Sequence, residues 1–240
     1  MHAYFLHTKN FPILTQLELE EGFLRTQSSC LIWINEGSNP AAILGISSKV
    51  PELIDETVAS ALSLPLIRRY SGGGTVVVDN NTIFVTFIFN LADFSLPGFP
   101  SHIMNWSEKF YAPFLKDKGF ELRENDYTLN GKKFGGNAQY LTKTRFVHHT
   151  TLLYDYNPKL MKALLIPNKA PQYREKRDHK DFLVPLKTLF PSKEAFTQSL
   201  VQVLKEHFTL EETIPLAIEE KLTFPSRKST QLLDLAVSIV

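Results

Sequence analysis

One cysteine in 240 residues, Cys30, excludes an intramolecular disulfide framework. A chain built that way fits a reducing compartment, and the cytoplasm is the expected location. An excess of charge of one sign is also missing. Lys plus Arg number 26 against 25 for Asp plus Glu, a net of +1, so no global field exists to hold nucleic acid or an anionic membrane, and neither is expected as a partner. Anion binding has to be local. The most apolar run, IFVTFIF at 83–89, falls far short of the roughly 20 residues that span a bilayer. The opening MHAYFLHTKNF lacks the basic start, long apolar stretch and small-residue cleavage site of a signal peptide. There is no internal repeat. The length suits one well-buried core and is too short for two large domains, so residues 1–240 are expected to form a single catalytic-type domain.

The hydrophobic pattern alternates between strand and helix periods. Leu14, Leu17 and Leu24, with Glu18, Glu20 and Glu21 among them, predict an amphipathic first helix. CLIWIN (30–35) and AAILGI (41–46) predict strands joined by the turn-rich EGSNP. PELIDETVASAL reads as one helix and LIRR as extended, while TVVVD and TIFVTFIFN read as a hairpin about Asp79, Asn80 and Asn81. Ile103, Trp106, Phe110 and Phe114 give a helical stripe over 101–118, with a kink expected at Pro113. Asn130-Gly131 is a hairpin signal that starts KKFGGNAQ as a returning strand. RFVHHTTLLYDY (145–156) predicts another strand and 193–208 a helix. Hairpin-linked strands with helices between them predict an α/β (α+β) fold, a mixed and largely antiparallel sheet flanked by helices.

Two segments carry more glycine and positive charge than a turn requires. RRYSGGGTVVVD places Arg68 and Arg69 before Gly72, Gly73 and Gly74. Glycines let a ligand lie against backbone N–H groups, and a guanidinium pairs with phosphate or carboxylate through a two-point fork; the alternative is a loose inter-strand loop. NGKKFGGNAQ places Lys132 and Lys133 between a turn and Gly135-Gly136, where a lysine either aims a point charge at an anion or faces solvent. His148 and His149 are adjacent on a strand and point to opposite faces, which excludes a shared zinc ion. Trp33 and Trp106 read as core. Arg174, Arg177, Asp178 and His179 lie in a charged, proline-flanked segment that either closes over a ligand or is solvated.

RRYSGGGTVVVD, NGKKFGGNAQ and RFVHHTTLLYDY occur in the order and approximate spacing of the lipoate-protein ligase family, which this chain resembles from the first helix to about residue 208. RENDY (123–127) and APQYREKRDHKDF (170–182) look like its plant-type branch. The resemblance implies the fold shared with biotin-protein ligases and class II aminoacyl-tRNA synthetases. It also implies a two-step reaction: lipoate and ATP give lipoyl-AMP, and a lysine of an acceptor then takes the lipoyl group. The implied acceptors are lipoyl domains of 2-oxoacid dehydrogenase E2 subunits or the glycine-cleavage H protein.

Residue by residue, Lys133 matches the catalytic lysine that touches acyl carbonyl and α-phosphate. Arg69, Gly73, Gly74, Thr75, Val76 and Val77 match the loop holding ATP and the adenylate. Asn125 and Asp126 match positions near the nucleotide, with Asp126 the expected contact for Mg²⁺. Gly72 and His149, with Lys133, match the lipoate pocket. Positive charge must meet the developing phosphate charge, and Lys133, Arg69 and Mg²⁺ are the implied sources.

Two departures qualify the resemblance. Val78 stands where many relatives carry a histidine before the aspartate. The tail after 208 is too short for a complete C-terminal accessory domain, so the chain is expected either to act without one or to use a separate accessory polypeptide. Two other functions stay open. An ATP-independent octanoyl- or lipoyltransferase of the same fold needs a thioester on Cys30, and a non-catalytic adenylate-binding regulator does not need Lys133.

Overall fold

The computed structural model describes residues 1–167, 170–222 and 228–234. The chain runs β1 (His2–Lys9), α1 (Ile13–Thr26), β2 (Leu31–Glu36), β3 (Ala41–Leu44), α2 (Val50–Leu53), α3 (Glu56–Ala61), β4 (Leu66–Arg68), β5 (Val76–Val78) and β6 (Thr82–Asn90). After these come α4 (Pro100–Leu115), β7 (Phe120–Arg123), β8 (Asp126–Leu129), β9 (Lys132–Leu141), β10 (Arg145–Leu153) and α5 (Pro158–Met161). α6 (His179–Phe182), α7 (Lys193–His207), β11 (Thr209–Glu212), α8 (Pro215–Glu219) and β12 (Gln231–Leu233) complete it.

Among the described residues the strands make two sheets, ordered β11-β1-β2-β6-β10-β9-β8-β7 and β12-β4-β3-β5. Pairing is parallel for β1 with β11 and β2, and for β3 with β4; every other ladder is antiparallel. The fold is thus the mixed, largely antiparallel one expected. β6 explains the long apolar run. It is central to the large sheet, with Ile83, Val85, Phe87 and Phe89 packed in one core and Phe84 and Ile88 in another. A strand covered on both faces has no polar alternation to show. The first core includes Trp106 and Phe110 of α4 and Phe196 and Leu200 of α7. The second joins the sheet to Leu17 and Phe23 of α1 and to Ile43 of β3.

The local expectations need three corrections. Val76–Val78 and Thr82–Asn90 do not pair with each other: β5 pairs with β3 and β6 with β2 and β10, so the turn at Asp79–Asn81 carries the chain between sheets. PELIDETVASAL is two short helices, because the Asp55 side chain accepts from Val58 N–H and starts α3 anew. α1 buries Glu20 and Glu21 along with its leucines, so its acidic residues do not mark a solvent face. α4 ends two residues beyond Pro113 and continues as a 3₁₀ turn at Lys116–Lys118. The C-terminal tail is described only in part; 223–227 and 235–240 lie outside the described residues.

His148 is fully enclosed, with Gln139 Nε2 3.1 Å from its Nδ1 and the Tyr127 hydroxyl 3.3 Å from its Nε2. Burial, with His149 beside it, pushes its pKa down from 6.5 to about 3. The unfolded chain takes up this proton near pH 6.5 and the folded chain only near 3. The stability linked to neutral His148 is therefore complete above pH 6.5 and is lost as pH falls toward 3, by up to roughly 3 kcal/mol at pH 4. Denaturant midpoints should fall between pH 7 and 4, and His148→Gln should flatten that dependence; an unchanged slope in the variant would contradict the assignment.

Candidate active site

A cavity of about 850 Å³ opens between the two sheets, and Arg69, Gly72 to Val77, Asn125, Asp126, Lys133 and His149 all line it. The sequence places these residues on three separate segments. The fold brings the segments together because β5 and the glycine loop sit in the small sheet while β8, β9 and β10 lie side by side in the large one.

Lys133 reaches the cavity through an irregularity. Tyr127 pairs with Gly135 and Thr128 with Lys133, so Phe134 is an extra residue on β9. In a regular ladder Lys132, four residues before Gly136, would share its face. The bulge turns Lys133 there instead. The lysine then lies over Gly136, where an added Cβ would come 3.1 Å from Nζ. Its Nζ is 2.7 Å from Asp126 Oδ1, and the Tyr173 hydroxyl donates to Asp126 Oδ2 at 2.8 Å. Lys132 is exposed.

Both Asp126 oxygens are thus engaged, and among the described residues no group of three or more His, Cys, Asp or Glu side chains is placed to hold a metal ion. Asp126, the expected contact for Mg²⁺, is paired here with Lys133 and Tyr173.

Arg69 also differs from the expectation. Its Nη2 donates to the carbonyls of Gly72 and Gly74, both at 2.8 Å, and its Nε to Ser71 Oγ at 3.0 Å. The buried guanidinium, its pKa lowered to about 10 by desolvation, ties the loop together and does not offer a free fork. Gly73 has φ +105, and Gly45 lies so close that an added Cβ would meet Gly73 O at 2.4 Å. Glycine is required at both positions for the loop to close.

His149 is part of a buried chain that the sequence reading missed. Its Nδ1 is 2.8 Å from Glu20 Oε2 and its Nε2 2.8 Å from Ser71 Oγ. The other Glu20 oxygen accepts from Gln16 Nε2 and Thr86 Oγ1 at 2.8 and 2.7 Å. With Nδ1–H donating to the carboxylate, Ser71 donates to Nε2 and accepts from Arg69, which joins α1 to the glycine loop in one polar wall. Glu20 does carry a sequence signal: three residues after Leu17 and four before Leu24, it falls on the apolar stripe of α1.

The segment 170–184 is folded over the cavity. Glu124 Oε1 accepts from the N–H groups of Gln172 and Tyr173, Asp178 caps α6, and Val184 N–H donates to Lys133 O. Arg174 and His179 line the cavity with it. Cys30 is elsewhere, buried, its thiol pushed up to about 11 mainly by desolvation. A thiol so placed is a poor nucleophile. Cys30→Ala should cost on the order of 1 kcal/mol in packing and leave ligand binding in the cavity, which Cys30 does not line, unchanged. An acyl-enzyme on Cys30, detected by mass spectrometry, would contradict the low reactivity of its thiol.

Residues 12–209 match the lipoyl protein ligase A/B catalytic domain. The chain belongs to that family. The chain is 27% identical over 242 aligned positions to a Plasmodium falciparum protein named inactive lipoate–protein ligase 2, covering 77% of this chain and 63% of the relative. A Bacillus subtilis lipoate-protein ligase is 30% identical over 135 residues, 54% of this chain and 38% of the relative. The chain therefore spans less than two thirds of these relatives' length. Among solved structures, a lipoate-protein ligase A bound with ATP superposes with a TM-score of 0.75 at 17% identity, covering 92% of each chain. The bipartite Thermoplasma acidophilum lipoate protein ligase, described with its E2 lipoyl domain, gives the same TM-score and identity over 92% of this chain and 90% of that one. The lipoyl ligase fold is shared with both. Among the described residues no helix is long and apolar enough to cross a membrane.

Proposed function

We propose that this chain is the catalytic part of an ATP-dependent lipoate-protein ligase, which activates lipoate as lipoyl-AMP and passes the lipoyl group to a lysine of an acceptor lipoyl domain. The observation that carries the reading is Lys133, turned by the bulge over Gly136 into the cavity that the glycine loop also lines. In the first step a lipoate carboxylate oxygen attacks the α-phosphorus and the bond to pyrophosphate breaks. Lys133 exchanges Asp126 for the α-phosphate and acyl oxygens and follows the charge onto them. The N–H groups at Gly73 to Val77 receive the nucleotide along a loop that Arg69 keeps in shape. The Glu20–His149 wall borders the acyl group. In the second step the acceptor amine attacks the acyl carbon and AMP leaves. A free lysine amine is only about 0.1% neutral near pH 7.4, a cost of roughly 4 kcal/mol that positioning against the mixed anhydride offsets.

A second reading, a non-catalytic adenylate binder, is favoured by the relative named inactive. Incubating the protein with lipoate and MgATP and measuring lipoyl-AMP by mass spectrometry separates the two. Adenylate formation supports the ligase, and binding without turnover supports the second reading. Acyl transfer from an acyl carrier protein without ATP would overturn both. Adding an E2 lipoyl domain or H protein then tests transfer. Lipoyl-AMP formed without transfer until a second polypeptide is added would mark a divided enzyme of the kind the Thermoplasma protein is described as.

A further inference from the structure

Three buried polar atoms without a partner among the described residues line the cavity: Thr75 Oγ1, Gln139 Oε1 and Arg174 Nη2. Arg174 stands apart because it is a buried charge. Its residue is 5% exposed, yet none of the described ion pairs includes it. The guanidinium lies over the Phe182 ring at 4.8 Å and Nε donates to Arg177 O at 2.9 Å, which fixes its plane and leaves Nη2 unmatched. Neighbouring carboxylates, Asp178 before Asp126, attract the guanidinium from a distance without forming an ion pair with it. Asp126 is held by Lys133 and Tyr173, and Asp178 accepts the N–H that starts α6.

A buried charged donor with no acceptor is costly, and proteins retain such groups where a ligand completes them. The segment bearing Arg174 is itself well anchored, through Glu124 to the N–H groups of Gln172 and Tyr173 and through the Tyr173 hydroxyl to Asp126. Arg174, Lys133 and His179 all line the cavity, so two cations face the same space. A monocarboxylate offers two oxygens, one of which Lys133 would take. A phosphate chain offers more.

We propose that Arg174 is an anion-binding residue of this site, its Nη2 donating to a phosphate oxygen of the bound nucleotide. This rests on the nucleotide reading above and adds to it a residue of the 170–182 segment, which thereby contributes a ligand contact as well as a cover. The oxygen belongs either to the adenylate phosphate or to the departing pyrophosphate, and the two are separable by experiment.

Isothermal titration of the full chain with ATP, AMP, inorganic pyrophosphate and lipoate, wild type against Arg174→Met, tests it. Methionine keeps the packing on Phe182 and removes the donor. The Kd for ATP should rise about 10- to 100-fold, the range for a hydrogen bond to a charged group, with the lipoate Kd unchanged. The unliganded melting temperature should change little, because the orphaned Nη2 and the Nε bond to Arg177 O are lost together. Weaker AMP binding assigns Arg174 to the adenylate phosphate; weaker pyrophosphate binding alone assigns it to the leaving group. Wild-type ATP affinity in a folded Arg174→Met overturns the proposal, and if that variant does not fold, Arg174→Gln is judged by the same criterion. If the wild type binds no ATP, the proposed function fails first. Arg174 is then decided by pyrophosphate alone: loss of binding in the variant supports the assignment, and no binding to wild type overturns it.

Discussion

Lys133→Ala should lower lipoyl-AMP formation by roughly 10²- to 10³-fold, the loss expected when one donor to a developing oxyanion is removed. Rapid-quench measurement of the adenylate at saturating ATP and lipoate reads the effect on the chemical step. Arginine should restore little, since a planar fork does not replace a compact ammonium between two ligand oxygens. Lys132→Ala is the internal control. It is adjacent and of equal charge, but the extra residue at Phe134 leaves it exposed while Lys133 faces Asp126 and Gly136. A near-normal rate in Lys133→Ala, or a greater loss in Lys132→Ala, would refute both the mechanism and the bulge as its structural cause. Asp126 in Lys133→Ala retains the Tyr173 hydroxyl, so a modest fall in stability is expected beside the large fall in rate.

The two glycines after Gly72 should separate folding from binding. At Gly73, φ is +105 and an added Cβ would lie 2.9 Å from Arg69 Nη2 and 3.2 Å from Ala138 Cβ. Gly73→Val should therefore destabilise the protein by roughly 2–4 kcal/mol through backbone strain and overpacking. A Cβ on Gly74 meets nothing within 4 Å. Gly74→Val should keep wild-type stability in urea titrations yet weaken ATP and lipoyl-AMP binding tenfold or more, as expected if a charged ligand loses a backbone N–H contact of roughly 1.5–3 kcal/mol. Unchanged affinity in Gly74→Val would reduce the loop to a connection between strands.

Residues whose role depends on their own type were the legible ones. Gly72–Gly74 and Lys133-x-x-Gly136 carry an unusual local composition, and both lie on the cavity. What depends on a distant partner was hidden. Val76–Val78 and Thr82–Asn90 flank a convincing turn, and only β3 decides that they part company. Arg69 reads as a phosphate ligand until the Gly72 and Gly74 carbonyls come round to it. Glu20 sits among acidic residues in α1, and its burial becomes intelligible only with His149 and Thr86, 129 and 66 residues away. β1 shows no clean alternation because it lies between β2 and β11, with Phe5 in one core and Leu6 in the other.

Arg69 bears on the thermodynamics of whatever the loop receives. Its bonds to Gly72 O, Gly74 O and Ser71 Oγ place the loop backbone before any ligand arrives, so the conformational entropy of three flexible glycines is lost in folding rather than in association. A calorimetric titration of Arg69→Met against wild type would expose that preorganisation as a more unfavourable binding entropy in the variant, even where the new side chain touches no part of the ligand.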